Sequence, residues 1–458
     1  MKNNSKRALV LLASSLLLVA CGGKDEVSDK GLIKEKTEIT VWTTFNADYQ
    51  SVIDKVIAKV QKDEPNLTIN YVKQSTGYDG LKDMTVEGFA TDTYPDVVVA
   101  YPDSVADFIN ADKALDIAPY MNNDVYGWTE EDFADVYQAY IEEGQNYTIE
   151  GTYSLPLTKS TEAMYYNHDI IGITLPGVNN GEALTEAYIN SLTWDEMFNV
   201  LGPALLAYND SLDADHKLIK ATDDDWCILG YDSDSNLFIT LAEQYGYGYT
   251  SIDEFGNGSI DFVNDDMKAL MNKFNGYYRN RLLQTQGTHG NYTNYLFTAG
   301  NCIFTVGSTG GVGYQFSSSN PMNVGVALIP QAGGEHAKKV INQGPSLAFL
   351  DHDSDNRALA SWLFYKEWTK TEYNAQWAEI SGYSPIRKSV AEDDNYLEYA
   401  NVSSAETAYG LASKEALLAR NATYAAGVGA YLYSSPVFFG SATARTSVGS
   451  LLTTLTRP

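Results

Sequence analysis

The run Val97-Val98-Val99-Ala100, introduced by Pro95-Asp96, constrains the fold more than any other stretch. Four consecutive apolar residues leave no polar face, so the strand they form has to be covered on both sides. The neighbouring sequence supplies the cover. Ile39-Thr40-Val41-Trp42 reads as a strand. Asp48 is placed to cap a helix with the apolar stripe Val52, Ile53, Val56, Ile57 and Val60, closed by Pro65. Leu67, Ile69 and Tyr71 alternate as a second strand. Residues 78–90 read as a less regular helix, and Ser104 is placed to cap another that carries Val105, Phe108 and Ile109. This β-α-β-α-β-α order implies an α/β fold with a parallel sheet and helices on both faces. Ligands in such sheets sit beyond the carboxyl ends of the strands. The stretches to watch are therefore Trp42-Thr43-Thr44 and Tyr101-Pro102-Asp103.

The amino terminus sets the compartment. Lys2, Lys6 and Arg7 precede an apolar run from Ala8 to Ala20. That run is shorter than the roughly 20 residues of a spanning helix and fits the core of a secretory signal. Leu18-Val19-Ala20-Cys21 resembles the bacterial lipobox, so residues 1–20 are expected to be removed and Cys21 to carry a lipid anchor. Residues 21–36 then form a flexible, charged tether. The mature chain is expected on the outer face of the cell membrane, held there by lipid.

Charge removes one class of partner. The formal net charge is −28, whereas nucleic-acid phosphates call for a basic surface. With 458 residues, 44% of them hydrophobic, there is material for two cores. The 33 tyrosines and 7 tryptophans exceed what cores alone need and suit a wet cleft that stacks on sugars. Cys227 and Cys302 are placed either to pair in an exported chain or to lie buried as free thiols.

Catalytic and metal motifs are weak. There is no Walker loop and no HExxH, and Gly307-Ser308-Thr309-Gly310 lacks the glycine a nucleophile elbow needs two places before its serine. Asp232-Ser233-Asp234-Ser235-Asn236 has calcium-loop offsets, but Leu237 stands where that loop turns on glycine. Asp351, Asp353 and Asp355 read as a polar turn capping the helix from Arg357. Thr193-Trp194-Asp195-Glu196 is a capping box. No cofactor, metal or catalytic residue is expected.

Several later segments carry a resemblance. GTYSLPLTKSTEAMYYN (151–167), LTWDEM (192–197), FTAGNCIFTVGSTGG (297–311), NVGVALIPQAGG (323–334), INQGPSLAFL (341–350) and GYSPIRKS (382–389) occur in order. Together with the ITVW start, they resemble the family 1 extracellular solute-binding proteins. The resemblance implies a periplasmic-binding-protein-like fold: two α/β lobes, a hinge and an inter-lobe ligand cleft. Residues 37–155 and 324–375 would form the first lobe, and 156–323 and 376–458 the second. It implies a monomeric receptor that captures a carbohydrate, most simply an oligosaccharide, by lobe closure and passes it to an ABC permease. It implies no enzymatic activity.

Sugar hydroxyls need paired donors and acceptors, and sugar faces need flat rings. On those grounds the candidate ligand residues are Trp42, Thr44, Tyr78, Asp103, Ser160, Thr161, Asp232, Ser308, Thr309, Gly344, Tyr383 and Arg445. Ser160-Thr161, Ser308, Tyr383 and Arg445 are similar in kind to residues of the glycerol phosphate-binding branch of the family. Tyr101-Pro102-Asp103 stands where that branch carries a glutamate. Glycerol phosphate or a glycerophosphodiester is therefore the alternative ligand. A surface glycoside hydrolase and a glycan-binding adhesin are the alternatives from other classes.

Overall fold

The computed structural model describes residue 28, residues 30–401 and residues 412–456. Cys21 and the apolar run before it lie outside the described residues. Two sheets organise the chain, each beside its own apolar core.

The first sheet has the order β2-β1-β3-β13-β4. Strands β1 (Thr37–Thr43), β2 (Leu67–Lys73) and β3 (Val97–Ala100) are parallel, with β1 between the other two. Helices α1 (Gln50–Asp63), α2 (Tyr78–Phe89) and α3 (Pro102–Asn110) are the crossovers. All four residues of β3 are buried, as their lack of a polar face requires. Helix α1 buries Val52, Ile53, Val56 and Val60. The start of β3 is tied down by Asp96, whose buried carboxylate takes two bonds from Arg357, at 2.6 and 2.9 Å. This planar pairing fixes orientation as well as charge.

Two helix starts differ from expectation. Asn46, not Asp48, supplies the capping side chain, at a short 3₁₀ turn over Ala47–Tyr49 that precedes α1. Helix α3 begins at Pro102, with Tyr101 at the cap position and Ser104 already inside the first turn. Proline is pre-set for the first helical position, so it outcompetes the serine two residues on. The helix Asp355–Trp368 is capped by Ser354 rather than by the aspartates around it. The capping box at Thr193–Glu196 is present, with both reciprocal bonds.

The second sheet has the order β14-β12-β5-β10-β6-β9, with β11 also against β5. Its hub is β5 (Ser160–Asn167), antiparallel to β10 (Cys302–Ser308), β11 (Val324–Ala327) and β12 (Val340–Gln343). Strands β6 (Cys227–Tyr231) and β9 (Leu283–Thr285) continue it on one side and β14 (Leu432–Tyr433) on the other. Cys227 and Cys302 are register partners on β6 and β10, both buried and both free thiols.

This topology corrects the expected lobe boundaries. Residues 324–343 belong to the second sheet, because β11 and β12 both pair with β5. The chain returns to the first sheet only at β13 (Ser346–Phe349), antiparallel to β3 and to β4 (Ser154–Pro156). The helix Thr371–Ser381 stays with the first lobe past residue 375, since Tyr373 and Trp377 are buried in the first core. The expected flexible tether also ends early. Ile33 is fully buried, the backbone N–H groups of Leu32 and Ile33 donate to the Glu64 carboxylate, and Asn66 Nδ2 donates to the Ile33 carbonyl.

The chain crosses between sheets at 157–159, from β4 to β5, and at Gly344-Pro345, from β12 to β13. The two crossings lie backbone to backbone. Gly344 has φ +111°, and a Cβ there would stand 2.6 Å from Lys159 Cα and 2.7 Å from the Thr158 carbonyl oxygen. Glycine alone fits both the angle and the space. Gly344→Ala is expected to lower the unfolding free energy by on the order of 3 kcal/mol, read as a lower denaturant midpoint. An unchanged midpoint would mean that the crossings do not pack this closely.

Candidate functional site: an inter-lobe chamber

A chamber of ≈ 520 Å³ lies between the sheets, beside the second crossing. Its walls come from three sources. The first lobe contributes Tyr101 and Asp103 at the start of α3, and Glu143 from α4 (Gln138–Glu143). The crossing contributes Asn342, Gln343 and Gly344. The second lobe contributes Tyr249, Ser435 and Arg445. Two helices carry second-lobe side chains toward the chamber: α5 (Asp234–Tyr245) and α6 (Ser441–Thr456).

Arg445 projects from α6 toward the first lobe. Its guanidinium donates to Asn236 Oδ1 on α5 and sits 5.8 Å from the centre of the Tyr101 ring. Burial opposes its charge, but Asp103, then Tyr101 and Tyr249, hold its pKa above the ordinary arginine value. Asp103 is the reciprocal case: burial pushes its carboxyl upward and Arg445 pulls it back. Its place in the first turn of α3 adds the favourable end of the helix dipole. The guanidinium in the chamber wall therefore feels a carboxylate from the opposite lobe.

Behind Asn236 lies Glu162 on β5, 2% exposed. It accepts from Asn236 Nδ2 at 2.9 Å and from the Tyr231 hydroxyl. Burial lifts its pKa to about 7, against the pull of Tyr231, Asn236 and Arg445. A carboxylate within the apolar run of β5 was legible as an anomaly, since glutamate is rarely buried without partners.

The expected site residues separate into groups. Asp103, Gly344 and Arg445 line the chamber. Thr44, Tyr78 and Tyr383 gather beside it: the Tyr78 hydroxyl interacts with those of Tyr383 and Thr44, and the Tyr78 and Tyr101 rings are 4.7 Å apart. Tyr383 also packs on Gly310, where a Cβ would stand 2.3 Å from the ring. Ser160 and Ser308 meet at 3.2 Å, and Ser308 Oγ also takes the Gly310 N–H. Thr161 and Thr309 are buried and satisfy each other or nearby backbone: Thr161 N donates to Thr309 Oγ1 at 3.1 Å, and Thr161 Oγ1 to the Ile341 carbonyl at 2.8 Å. These four hold β5 to its neighbours and are not among the chamber's lining residues.

Trp42 and Asp232 stand apart. Trp42 packs half-buried on the first core, paired with Val72 and Val98. Asp232 is engaged by the backbone and hydroxyl of Thr293 at 2.5 and 2.7 Å, so its calcium-like spacing serves a turn. Among the described residues no cluster of metal-binding side chains occurs. Among the lining residues that sequence reasoning missed are Tyr249, Glu143, Asn342, Gln343 and Ser435. Asn342 and Gln343 directly precede the flagged Gly344. Their approach to Glu143 and Asn236 depends on contacts far away in the chain, for which the local sequence carries no signal.

Comparison with known proteins follows the same lines. Residues 55–403 match the model of a family described as bacterial extracellular solute-binding protein. The chain is similar to the sn-glycerol-3-phosphate-binding periplasmic protein UgpB of Rhizobium meliloti (strain 1021), 30% identical over 98 residues. That match spans 21% of this chain and 22% of the relative. The fold is similar to an ABC substrate-binding protein of Listeria monocytogenes solved with cycloalternan, at TM-score 0.67 and 13% identity, covering 92% of this chain and 94% of that one. It is similar as well to the GacH receptor of Streptomyces glaucescens, solved unliganded and with acarbose, at 0.65 and 16%, covering 91% and 93%. UgpB of Mycobacterium tuberculosis with glycerophosphocholine gives 0.65 and 16%, covering 92% and 93%.

The raised pKa of Glu162 sets a pH dependence. The folded state binds this proton more tightly than the unfolded chain. The stability it contributes is therefore full below about pH 4.5 and is lost as pH rises through about 7. Glu162→Gln is expected to flatten that decline. Its melting temperature, relative to wild type, should be higher at pH 8 than at pH 5. An equal difference at both pH values would show that Glu162 titrates normally.

Proposed function

The chain belongs to the bacterial extracellular solute-binding protein family, and on that premise we propose that it is the receptor of an ABC importer for a carbohydrate, most simply an oligosaccharide. The observation that carries this reading is the three-sided chamber: Tyr101 and Asp103 from one lobe, Tyr249 and Arg445 from the other, and Asn342 and Gln343 from the crossing. A ligand that touches all three walls binds the closed arrangement more tightly than the open one. That difference in affinity is what draws the lobes together. The chamber volume is within the range of small-molecule sites. Tyrosine rings offer flat apolar faces with polar edges, and amides offer donors and acceptors, which is what a sugar presents in return. No bond is made or broken in this reading; the product is a closed, loaded receptor for the permease. Lipid on Cys21 would keep the receptor, a monomer outside the cytoplasm, close to that permease.

A second reading keeps the receptor and changes the ligand to glycerol phosphate or a glycerophosphodiester. It is favoured by the guanidinium of Arg445 in the chamber wall and by the likeness to the glycerol phosphate-binding relative.

Thermal unfolding of the mature chain against a panel separates the two. The panel holds maltose, maltotriose, cycloalternan, glycerol 3-phosphate and glycerophosphocholine. A ligand at about 100 times its Kd stabilises the folded state by roughly 2.7 kcal/mol, a shift of a few degrees. The carbohydrates are expected to produce the shift. A shift with the phosphates alone would transfer the assignment to the second reading, and cleavage of an oligosaccharide during incubation would overturn the receptor reading.

A further inference from the structure

The two amides at the crossing each have one end engaged and one end free. Asn342 Nδ2 donates to Glu143 Oε1 at 3.3 Å and to Ser434 Oγ at 3.2 Å. Asn342 Oδ1 is buried and has no hydrogen-bond partner among the described residues. Gln343 Oε1 accepts from Asn236 Nδ2 at 3.3 Å. Gln343 Nε2 is buried and likewise unpartnered among the described residues. Both residues line the chamber, as does Ser435, whose buried hydroxyl is unpartnered as well. Buried polar groups are nearly always paired, so a cluster of free ones beside a cavity calls for an external partner.

Which end of each amide is free is not arbitrary, because charged groups dictate it. A guanidinium can only donate, so Arg445 forces the oxygen of Asn236 toward itself. The Asn236 nitrogen is thereby turned toward Glu162 and Gln343. Gln343 has to answer with its oxygen, which leaves its NH₂ over. On the other branch, Lys159 is 1% exposed and paired with Glu143. The Glu143 carboxylate can only accept, so Asn342 has to answer with its NH₂, which leaves its oxygen over. Flipping either amide would set two donors or two acceptors face to face.

We propose that Gln343 and Asn342 are specificity-determining residues, presenting one fixed donor and one fixed acceptor that select a neutral polyhydroxyl ligand over a phosphate. The proposal rests on the ligand-binding reading of the chamber and deepens it. A hydroxyl both accepts and donates, so hydroxyls of one sugar satisfy both amides. An ionised phosphate group only accepts, so a phosphate seated against both amides leaves Asn342 Oδ1 buried and unpaired. Nor does the chamber offer a spare positive charge. Arg445 is engaged by Asn236, and Asp103, Glu142 and Glu143 line the same wall. In this account Arg445 is a positioning residue that acts through Asn236.

Isothermal titration of the mature chain with maltotriose, maltose, cycloalternan and glycerol 3-phosphate tests this. Wild type is expected to bind at least one of the sugars and to bind glycerol 3-phosphate more weakly. Gln343→Glu replaces the free donor by an acceptor and Asn342→Leu removes the free acceptor; each should weaken the sugar by about tenfold or more. Sugar binding within about twofold of wild type in both variants would overturn the proposal and leave the receptor reading intact. Tighter binding of glycerol 3-phosphate than of any sugar would overturn it too. If no probe binds, the ligand-free protein decides. Gln343→Met gives up a single 3.3 Å bond, so its melting temperature should stay within about 2 °C of wild type. A fall of more than about 5 °C would show that the Gln343 amide is fully used inside the fold, and the proposal would fail.

Discussion

The contact between the two crossings is the constraint on which the rest of the structure depends. Two sheets with separate cores are joined where Gly344 lies on the backbone of Thr158 and Lys159. A side chain at 344 would separate the crossings, and with them the sheets. The charged residue beside this contact is an unusual choice, since a buried lysine costs several kcal/mol unless paired. Glu143 supplies the pair from the first lobe, and it also accepts from Asn342 on the other crossing. A single carboxylate thus bonds to residues of these two crossing segments. The Tyr140 ring, 5.5 Å from the Lys159 ammonium, adds a second favourable contact.

The chamber follows from this hinge. Because β12 ends where the crossing begins, its last two residues, still paired with β5, also border the space between the lobes. Because α3 starts directly after β3, Tyr101 and Asp103 reach the same space from the opposite side. Arg445 spans the remaining distance, with Asn236 on its own lobe and the Tyr101 ring on the other. The lobes are also in contact at Asn46, whose Nδ2 donates to the Tyr314 hydroxyl at 2.7 Å. Charges that would otherwise dominate the site are consumed in setting hydrogen-bond polarity.

Much of the first lobe was legible beforehand because its signals are local. A run without a polar face, as in Val97–Ala100, demands cover on both sides, and the 3.6-residue stripe of α1 names its own buried face. The lobe boundary after β10 was not legible. Strands β11, β12 and β13 are each only four residues long, and nothing in so short a strand records which sheet will accept it. Helix starts failed for a related reason: Asp48 and Ser104 are good capping residues, but Asn46 and Pro102 are as good and lie nearer the true start. Among the site residues, Arg445 and Gly344 stood out as a lone cation and a glycine in a polar setting. Glu143, Asn342 and Gln343 did not, because they look like ordinary surface residues until the hinge brings them together.

By itself, then, the sequence determined the parallel α/β start of the chain, material enough for two cores, and the acidic balance that speaks against nucleic acid. These are read from periodicity, composition and the few residues whose backbone or charge is exceptional. Only the tertiary structure decided which sheet takes β11 and β12, that Ser160, Thr161, Ser308 and Thr309 hold strands together, and that Asn342 and Gln343 are left with opposite amide ends unpartnered among the described residues. The physical reason is range. Burial patterns and caps are set within a few residues of chain, whereas the orientation of an amide is set by whichever charge folding places beside it.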